Sequence, residues 1–349
     1  TGVQTCVFRS TVGSAAGSTG ANGLEESTLR MAMEKVGFKV NSKLTDLYTK
    51  HQTLGTTDGE LSLDYYTNAV TSTINGYHDA AILVFSRTGS EGIDKLACNV
   101  PGHSDPTDHE MMLTDNEKAL VKYVKEYYKD SPIIVLINSS NILQIPELAE
   151  PKATSEYGVD AIFWVGNTGN NAIEAIGQIL TGEVNPSGHT VEVWEKDFTQ
   201  GPTWTNFAHQ TQNGTDAFYY TEDGEQTIYA TVEYREGIYV GYKYYETLFD
   251  DAVDKEAAYS NVLYPFGYGL SYTSFDWELV STAETTISDA WQKMSMQVKV
   301  TNTGSVAGKD VVQVYANPPY TKGGIEKASA NLVAFAKTDL LEPGQSQTL

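Results

Sequence analysis

A glutamate between two glycines is the residue of this sequence that best fits acid–base chemistry. Glu91 lies in the run Ser86-Arg-Thr-Gly-Ser-Glu-Gly-Ile-Asp94, directly after the apolar run 80–85. The glycines let the backbone present this carboxyl group at the tip of a loop, where it could give a proton to a leaving oxygen. The alternative is a solvated loop glutamate near Arg87, and the spacing alone does not separate the two.

A second candidate is the glycine-rich segment 13–23, between a predicted strand at 5–9 and a predicted helix at about 24–36. Its glycines are spaced G-x-x-G-x-x-G, whereas a dinucleotide loop reads G-x-G-x-x-G and needs an acidic residue where this sequence has Asn41. We therefore exclude a Rossmann dinucleotide and predict no cofactor. The loop could offer amides and hydroxyls to a polar ligand such as a sugar, or its small residues could serve packing alone.

The next loop contains four side chains that can bind metals: His103, Asp105, Asp108 and His109. Their spacing matches no common ligand set, and prolines at 101 and 106 interrupt the segment. We predict no metal site and interpret this stretch as a polar loop at the rim of a site.

The elements that must position these residues alternate between strand and helix patterns over residues 1–194, which indicates parallel strands joined by crossover helices. The clearest strands, at 80–85, 133–137 and 161–165, are apolar throughout, as expected of strands covered on both faces. A helix is predicted to begin after Thr114, because Thr114 and Glu117 form a capping-box pattern. Its predicted buried residues are Leu120, Val121, Val124 and Tyr127.

The remainder of the chain has a different character. A second helix is predicted near 170–180 and a strand at 191–194, and residues from about 195 to 270 form an aromatic-rich connector without a sustained period. Beyond residue 275 the pattern has a period of two, with strands predicted at 294–300, 310–315 and 331–335. This predicts an antiparallel β-sandwich of the immunoglobulin or fibronectin kind, with Phe275-Asp-Trp277 in its first strand.

Composition excludes several classes of protein. The 349 residues are enough for two folded units, and 45 acidic against 23 basic residues give a net charge of −22, which disfavours nucleic acid and anionic membranes as partners. No apolar run approaches the ~18 residues that a membrane-spanning helix needs. Cys6 and Cys98 could be bridged or free.

Five motifs occur in a consistent order: Asn185-Pro-Ser-Gly188, Tyr239-Val-Gly-Tyr-Lys-Tyr-Tyr245, Tyr264-Pro-Phe-Gly-Tyr-Gly-Leu-Ser-Tyr-Thr-Ser-Phe275, Thr301-Asn-Thr-Gly-Ser-Val-Ala-Gly308 and Leu341-Glu-Pro-Gly344. Together they resemble the non-barrel half of glycoside hydrolase family 3, which includes β-glucosidases. The resemblance implies an α/β sandwich over 1–200, a Tyr/Gly-rich connector packed on the sandwich over 201–274, and a truncated fibronectin type III-like domain over 275–349. The family's (β/α)8 barrel is not represented.

The same resemblance implies roles for individual residues. Glu91 matches the family's general acid/base, although the family loop usually reads Ser-Gly-Glu-Gly and this one Gly-Ser-Glu-Gly. Ser18 matches a serine that contacts the terminal sugar, and we predict that Thr19 and Arg87 also bind substrate. The nucleophile of the family is a barrel aspartate, so Phe275-Asp-Trp277 does not supply it. The implied activity is exo-acting, retaining hydrolysis of terminal β-D-glycosyl residues, and we expect this chain alone to be inactive.

The implied partners are β-linked glucosides or oligosaccharides and a barrel domain of the same parent chain, with no nucleic acid and no membrane insertion. A homodimer is left open. We expect both ends to be cut from a longer protein, whose compartment is left open, with a secreted or cell-surface location favoured over the cytoplasm. A non-catalytic carbohydrate-binding or structural module is the main alternative. A flavodoxin-like nucleotide-binding domain also fits the α/β pattern, but it lacks a phosphate-binding fingerprint.

Overall fold

The computed structural model describes residues 4–8, 28–52, 60–87, 95–166, 168, 173–204, 234–282, 293–319 and 321–349. The chain divides into two compact units, one comprising Thr1–Thr181 with Glu195–Arg235 and the other Gly182–Trp194 with Glu236–Leu349. The predicted boundaries at 200 and 274 differ from this division, because 182–194 and 236–274 group with the later strands. No helix within the described residues is long and apolar enough to cross a membrane.

A five-stranded parallel sheet forms the centre of the first unit, with the strand order β2-β1-β3-β4-β5. Its strands are β1 (Gln4–Phe8), β2 (Lys39–Val40), β3 (Ala80–Ser86), β4 (Ile133–Asn138) and β5 (Ala161–Trp164). The central strand β3 is buried along all 7 residues, as its unbroken apolar sequence predicts. The predicted α/β class is confirmed for this unit.

Six helices are described in this unit: α1 (Leu29–Lys35), α2 (Ser42–Gln52), α3 (Asn68–Ile74), α4 (Asp115–Tyr127), α5 (Pro146–Ala149) and α6 (Ile173–Leu180). Helices α1 and α6 approach closely because residue 177 is glycine. A Cβ there would lie 2.9 Å from the carbonyl oxygen of Ala32 on α1. Two 3-10 turns, Leu63–Tyr65 and Phe198–Gln200, complete the unit.

Helix α4 begins with the predicted capping box. The Thr114 hydroxyl accepts from the Glu117 amide at 3.2 Å, and the Glu117 carboxylate accepts from the Thr114 amide at 2.8 Å. Burial of Leu120, Val121 and Val124 is confirmed. Burial of Tyr127 was wrong, since Tyr127 is 43% exposed and its neighbour Tyr128 is buried instead. The helix ends at Tyr127, so the cap residue Tyr128 turns inward and donates to the Tyr77 carbonyl at 2.6 Å.

The second unit contains two helices that the sequence pattern missed, α7 (Tyr242–Asp251) and α8 (Lys255–Tyr259). Tyrosines of both helices pack around one small core, in which Tyr245 is buried with Val193 and Val262. The predicted strand at 191–194 was largely wrong. Strand β6 (Trp194–Glu195) covers only its last residue and pairs with β7 (Val262–Tyr264), while Val191 is 66% exposed.

The remaining strands are antiparallel, as predicted. The strands β8 (Phe275–Thr282), β9 (Met296–Asn302) and β12 (Ser346–Thr348) form a three-stranded sheet, and β10 (Val311–Ala316) pairs with β11 (Asn331–Lys337). Val300, Val312 and Leu341 form the buried core of these strands. Phe275-Asp-Trp277 opens β8, which confirms its assignment to the first strand.

Candidate active site

The predicted site residues are divided between described and undescribed parts of the chain. Glu91, Ser18 and Thr19 lie outside the described residues. The structure describes only the residues that flank their segments. Arg87, the fourth predicted site residue, is described in full. It directly follows the last residue of β3, Ser86.

The carboxyl ends of β3, β4 and β5 meet at one edge of the parallel sheet. Ser86 of β3 lies opposite Asn138 of β4, and the Asn138 side chain donates to the Gly166 carbonyl after β5 at 2.6 Å. The Trp164 indole donates to the Ser139 carbonyl at 2.8 Å. These bonds join three successive strand ends. In an open α/β sheet this edge is where ligands bind, so the segment that contains Glu91 leaves the sheet on the favourable side.

The Arg87 side chain is buried and forms a bidentate ion pair with Glu117 in the first turn of α4. Its Nη1 and Nη2 lie 2.7 and 2.8 Å from the two carboxylate oxygens of Glu117. The side chains are 1% and 0% exposed. The two parallel hydrogen bonds fix the orientation of the guanidinium and of the carboxylate, in addition to pairing their charges.

Three backbone carbonyl oxygens accept the remaining hydrogen bonds from the Arg87 guanidinium. Nε donates to Glu110 at 2.8 Å, Nη1 to Ser86 at 2.9 Å and Nη2 to Met112 at 2.6 Å. With the two bonds to Glu117, each of the five N–H donors of a guanidinium has an acceptor within the chain. The prediction that Arg87 binds substrate therefore needs correction. This side chain joins the end of β3 to the start of α4 and has no donor left for a sugar.

Glu110 contacts the chain at the other end of the undescribed segment 88–94. Its Oε1 accepts from the Lys95 ammonium at 2.6 Å, and its Oε2 accepts from the Leu96 amide at 2.8 Å. The Glu110 amide in turn donates to the Leu96 carbonyl at 2.8 Å. Sequence reasoning missed Glu110, because nothing local marks a glutamate whose partners lie 15 and 23 residues away.

The histidine-containing loop exposes its central residues but encloses both of its histidine rings. Asp105 accepts from the Thr107 amide at 2.8 Å, and both residues are exposed, as in a polar loop. The histidines depart from that prediction, since the His103 side chain is 0% exposed, with its Nδ1 3.1 Å from Asp108, and His109 is 3% exposed. Among the residues that the structure describes, no group of three or more His, Cys, Asp or Glu side chains could hold a metal ion. Cys98 is a free thiol.

His109 packs into an aromatic and amide cluster that was not predicted. Its ring lies 5.4 Å from the Phe198 ring in a stacked arrangement and 5.2 Å from the Trp204 ring. Its Nε2 lies 3.1 Å from the Gln144 Oε1, which also accepts from the Phe198 amide at 2.7 Å. Since that oxygen only accepts, Nε2 of His109 carries the hydrogen. Burial lowers the pKa of His109, so the ring is held neutral.

Comparison with known proteins identifies the family to which this chain belongs. The pattern that describes the "Glycosyl hydrolase family 3 C-terminal domain" matches residues 12–242. A β-glucosidase of Ruminococcus albus is 32% identical over 273 residues, which cover 78% of this chain and 23% of that protein. β-Glucosidase A of Butyrivibrio fibrisolvens is 31% identical over 294 residues, which cover 78% of this chain and 31% of that protein.

Solved structures agree with the sequence comparison. β-Glucosidase 3B of Thermotoga neapolitana superposes with a TM-score of 0.73 at 26% identity, covering 100% of this chain and 44% of that one. The chain thus spans less than half the length of each of these three relatives. The family match, the parallel sheet and the antiparallel strands all agree, and the chain belongs to glycosyl hydrolase family 3, of which it contains the C-terminal domain.

Proposed function

We propose that this chain is part of an exo-acting, retaining β-glucosidase-like enzyme, to which it supplies the general acid/base Glu91. The nucleophilic aspartate belongs to a (β/α)8 barrel of the same parent chain. The substrates are β-linked glucosides or oligosaccharides with a terminal non-reducing β-D-glucosyl residue. The printed names of the relatives support this substrate class, and one structure of the Thermotoga enzyme is a complex with glucose.

One observation carries the proposal for Glu91. Residue 91 lies four positions after Arg87 and four before Lys95. Both of those flanking residues are held by buried or nearly buried charged pairs at the carboxyl edge of the sheet. The length of this segment limits how far residue 91 can lie from this edge, because the chain reaches at most ~3.3–3.6 Å per residue. That edge is the usual ligand-binding side of a parallel sheet.

The chemistry proceeds in two displacements. A carboxylate oxygen of the barrel aspartate attacks the anomeric carbon, the bond from that carbon to the leaving oxygen breaks, and Glu91 gives its proton to the leaving oxygen. Glu91, now a carboxylate, then takes a proton from water, whose oxygen displaces the aspartate from the anomeric carbon. Retaining enzymes hold their two carboxyl groups ~5–5.5 Å apart, so Glu91 must face the barrel aspartate across that gap. Ser18 and Thr19 contact the terminal sugar in this proposal.

Substitution of Glu91 in the complete parent enzyme tests the proposal. Glu91→Ala is expected to reduce kcat/KM most for glucosides with poor leaving groups, by roughly 10²–10⁴-fold, because these require protonation of the departing oxygen. Azide should restore turnover of activated aryl glucosides, since it replaces water without needing a base. Glu126→Ala, at an exposed position of α4, is the control. An unchanged rate in Glu91→Ala would remove Glu91 from the mechanism.

The isolated 349-residue chain gives a second, independent test. It is expected not to hydrolyse p-nitrophenyl β-glucoside, because only one of the two required carboxyl groups is present. Turnover by the purified chain that disappears in Glu91→Gln would overturn the assignment of the nucleophile to a separate domain.

A further inference from the structure

Both ends of the segment 88–94 are held by a single residue, Glu110. The residue before the segment, Arg87, donates from Nε to the Glu110 carbonyl at 2.8 Å. The residues after it, Lys95 and Leu96, donate to the two oxygens of the Glu110 carboxylate at 2.6 and 2.8 Å. The Glu110 amide completes the arrangement by donating to the Leu96 carbonyl at 2.8 Å.

The Lys95–Glu110 ion pair is largely sheltered from water, whereas the bond from the Leu96 amide lies at an exposed position. The Lys95 and Glu110 side chains are 11% and 15% exposed. Removal from solvent strengthens an ion pair relative to a surface pair, because screening by water and salt is reduced. Each carboxylate oxygen also has a different donor, so rotation of the carboxylate would break at least one bond. The link between the two segment ends is therefore geometrically specific.

The backbone beside Glu110 is held in turn. Met111 accepts from the Gln144 amide at 2.9 Å, and the Met112 carbonyl accepts from Arg87 Nη2 at 2.6 Å. Glu110 is thus attached to the same framework as the end of β3 and the start of α4, rather than to a separate surface loop.

We propose that Glu110 is a positioning residue that fixes the two ends of the segment carrying Glu91, and this inference rests on the acid/base role proposed for Glu91. Fixing the two ends of a short segment reduces the number of conformations open to any chain between them, and an acid/base role requires accurate placement of the carboxyl group. Proton transfer depends steeply on placement, since a displacement of ~1 Å can reduce the rate by roughly 10²-fold.

The positioning role has a kinetic signature that a general stabilising role lacks. Loss of the Glu110 side chain removes its bonds to the Lys95 ammonium and the Leu96 amide but leaves Glu91 present. Protonation of the leaving oxygen then becomes less efficient, which slows substrates with poor leaving groups more than activated ones. A merely destabilised protein contains less active enzyme and loses activity equally on both substrates.

The test uses the complete parent enzyme and two probes, phenyl β-glucoside and 2,4-dinitrophenyl β-glucoside. For Glu110→Ala we expect kcat/KM on the phenyl glucoside to fall roughly 10–100-fold more than on the dinitrophenyl glucoside. Glu110→Gln should give an intermediate ratio, because its amide oxygen still accepts from the Leu96 amide while the charge pairing with Lys95 is lost.

A matched control exists at the opposite edge of the same sheet. Asp160 accepts from the Lys152 ammonium and from the Ile133 amide, both at 2.7 Å, at the first residue of β4. Asp160→Ala thus removes the same two kinds of bond as Glu110→Ala, at the amino end of a strand. Its ratio of kcat/KM values on the two probes should equal that of the unsubstituted enzyme.

The outcomes separate the two proposals. Equal losses on both probes in Glu110→Ala, or an equal change of ratio in Asp160→Ala, would overturn the positioning role. If Glu91→Ala leaves the ratio unchanged, the acid/base proposal itself fails. If Glu110→Ala does not fold, Lys95→Met removes the charged half of the same contact, and an unchanged ratio in that variant also overturns the positioning role.

Discussion

The two edges of the parallel sheet are both tied by charged pairs, but the pairs differ in their relation to water. At the carboxyl edge, Arg87 and Glu117 are 1% and 0% exposed. At the amino edge, Lys152 and Asp160 are 17% and 40% exposed. The first pair is enclosed by protein, with the remaining guanidinium donors bonded to carbonyl oxygens. The second pair is partly solvated and closes the loop 152–160, which precedes β5.

The comparison shows at which edge the fold depends on one particular arrangement of charges. A buried pair contributes little net stability relative to apolar residues, yet removing one partner leaves an uncompensated charge in the interior. The carboxyl edge therefore tolerates few substitutions, whereas a partly exposed pair can be lost at small cost. The segment that contains Glu91 departs from this carboxyl edge. An acid/base group must be placed accurately, and the enclosed charged pair beside it fits that requirement.

The largest expected effect comes from Glu117→Ala. It leaves the Arg87 charge buried without its carboxylate and removes the acceptor for the Thr114 amide, so the free energy of unfolding should fall by about 3–5 kcal/mol. Urea titration of this chain measures the change. Glu126→Ala on the exposed side of α4 should change it by less than about 0.5 kcal/mol. A loss in Glu117→Ala no greater than this control would contradict the distinction between the two edges.

Thr114→Ala is expected to have a smaller effect at the same edge. It removes the hydroxyl that accepts from the Glu117 amide at 3.2 Å, and the expected loss in the free energy of unfolding is about 1 kcal/mol. Thr114→Ser retains the hydroxyl and serves as the control. If serine and alanine destabilise equally, the capping bond is not the cause.

A pH effect is also expected at the carboxyl edge, from His109. Burial lowers the pKa of His109 below its ordinary 6.5, so the unfolded chain binds the proton first as pH falls. The free energy of unfolding should therefore decrease as pH falls from about 7 through 6.5, and this decrease should end below the folded-state pKa. His109→Phe, which keeps an aromatic ring beside Phe198, should reduce this slope in urea titrations between pH 5 and 8. An identical slope would assign the pH dependence to other groups.

The smallest effect is expected at the amino edge. Lys152→Ala removes a partly exposed pair with Asp160, and the free energy of unfolding should fall by less than about 1 kcal/mol. The salt dependence of stability should also weaken, because a solvated pair is screened by added salt. A loss as large as that of Glu117→Ala would show that exposure does not distinguish the two edges.

Much of the fold could be predicted because its signals are local. The unbroken apolar run that became β3 and the Thr114–Glu117 capping box are contained within a few neighbouring residues. Helix α7 was missed because aromatic residues form its packing face, and tyrosines are equally compatible with strands and connectors. The burial of Tyr127 was predicted wrongly because the helix ends at that residue, and the following Tyr128 is buried instead. Boundaries depend on where the chain must turn, which periodicity does not specify.

The class of the first unit, the antiparallel strands of the second and the family resemblance that singles out Glu91 could all be predicted from the amino-acid sequence. These depend on residue types and on spacings of a few positions. The contacts of Arg87 could be seen only in the folded chain, since its partners Glu110 and Glu117 lie 23 and 30 residues away in the sequence. Parallel strand pairing brings these residues together, and burial then makes each charge dependent on its partner. A side chain that its sequence context suggested for sugar binding is, for this reason, part of the framework beside the site.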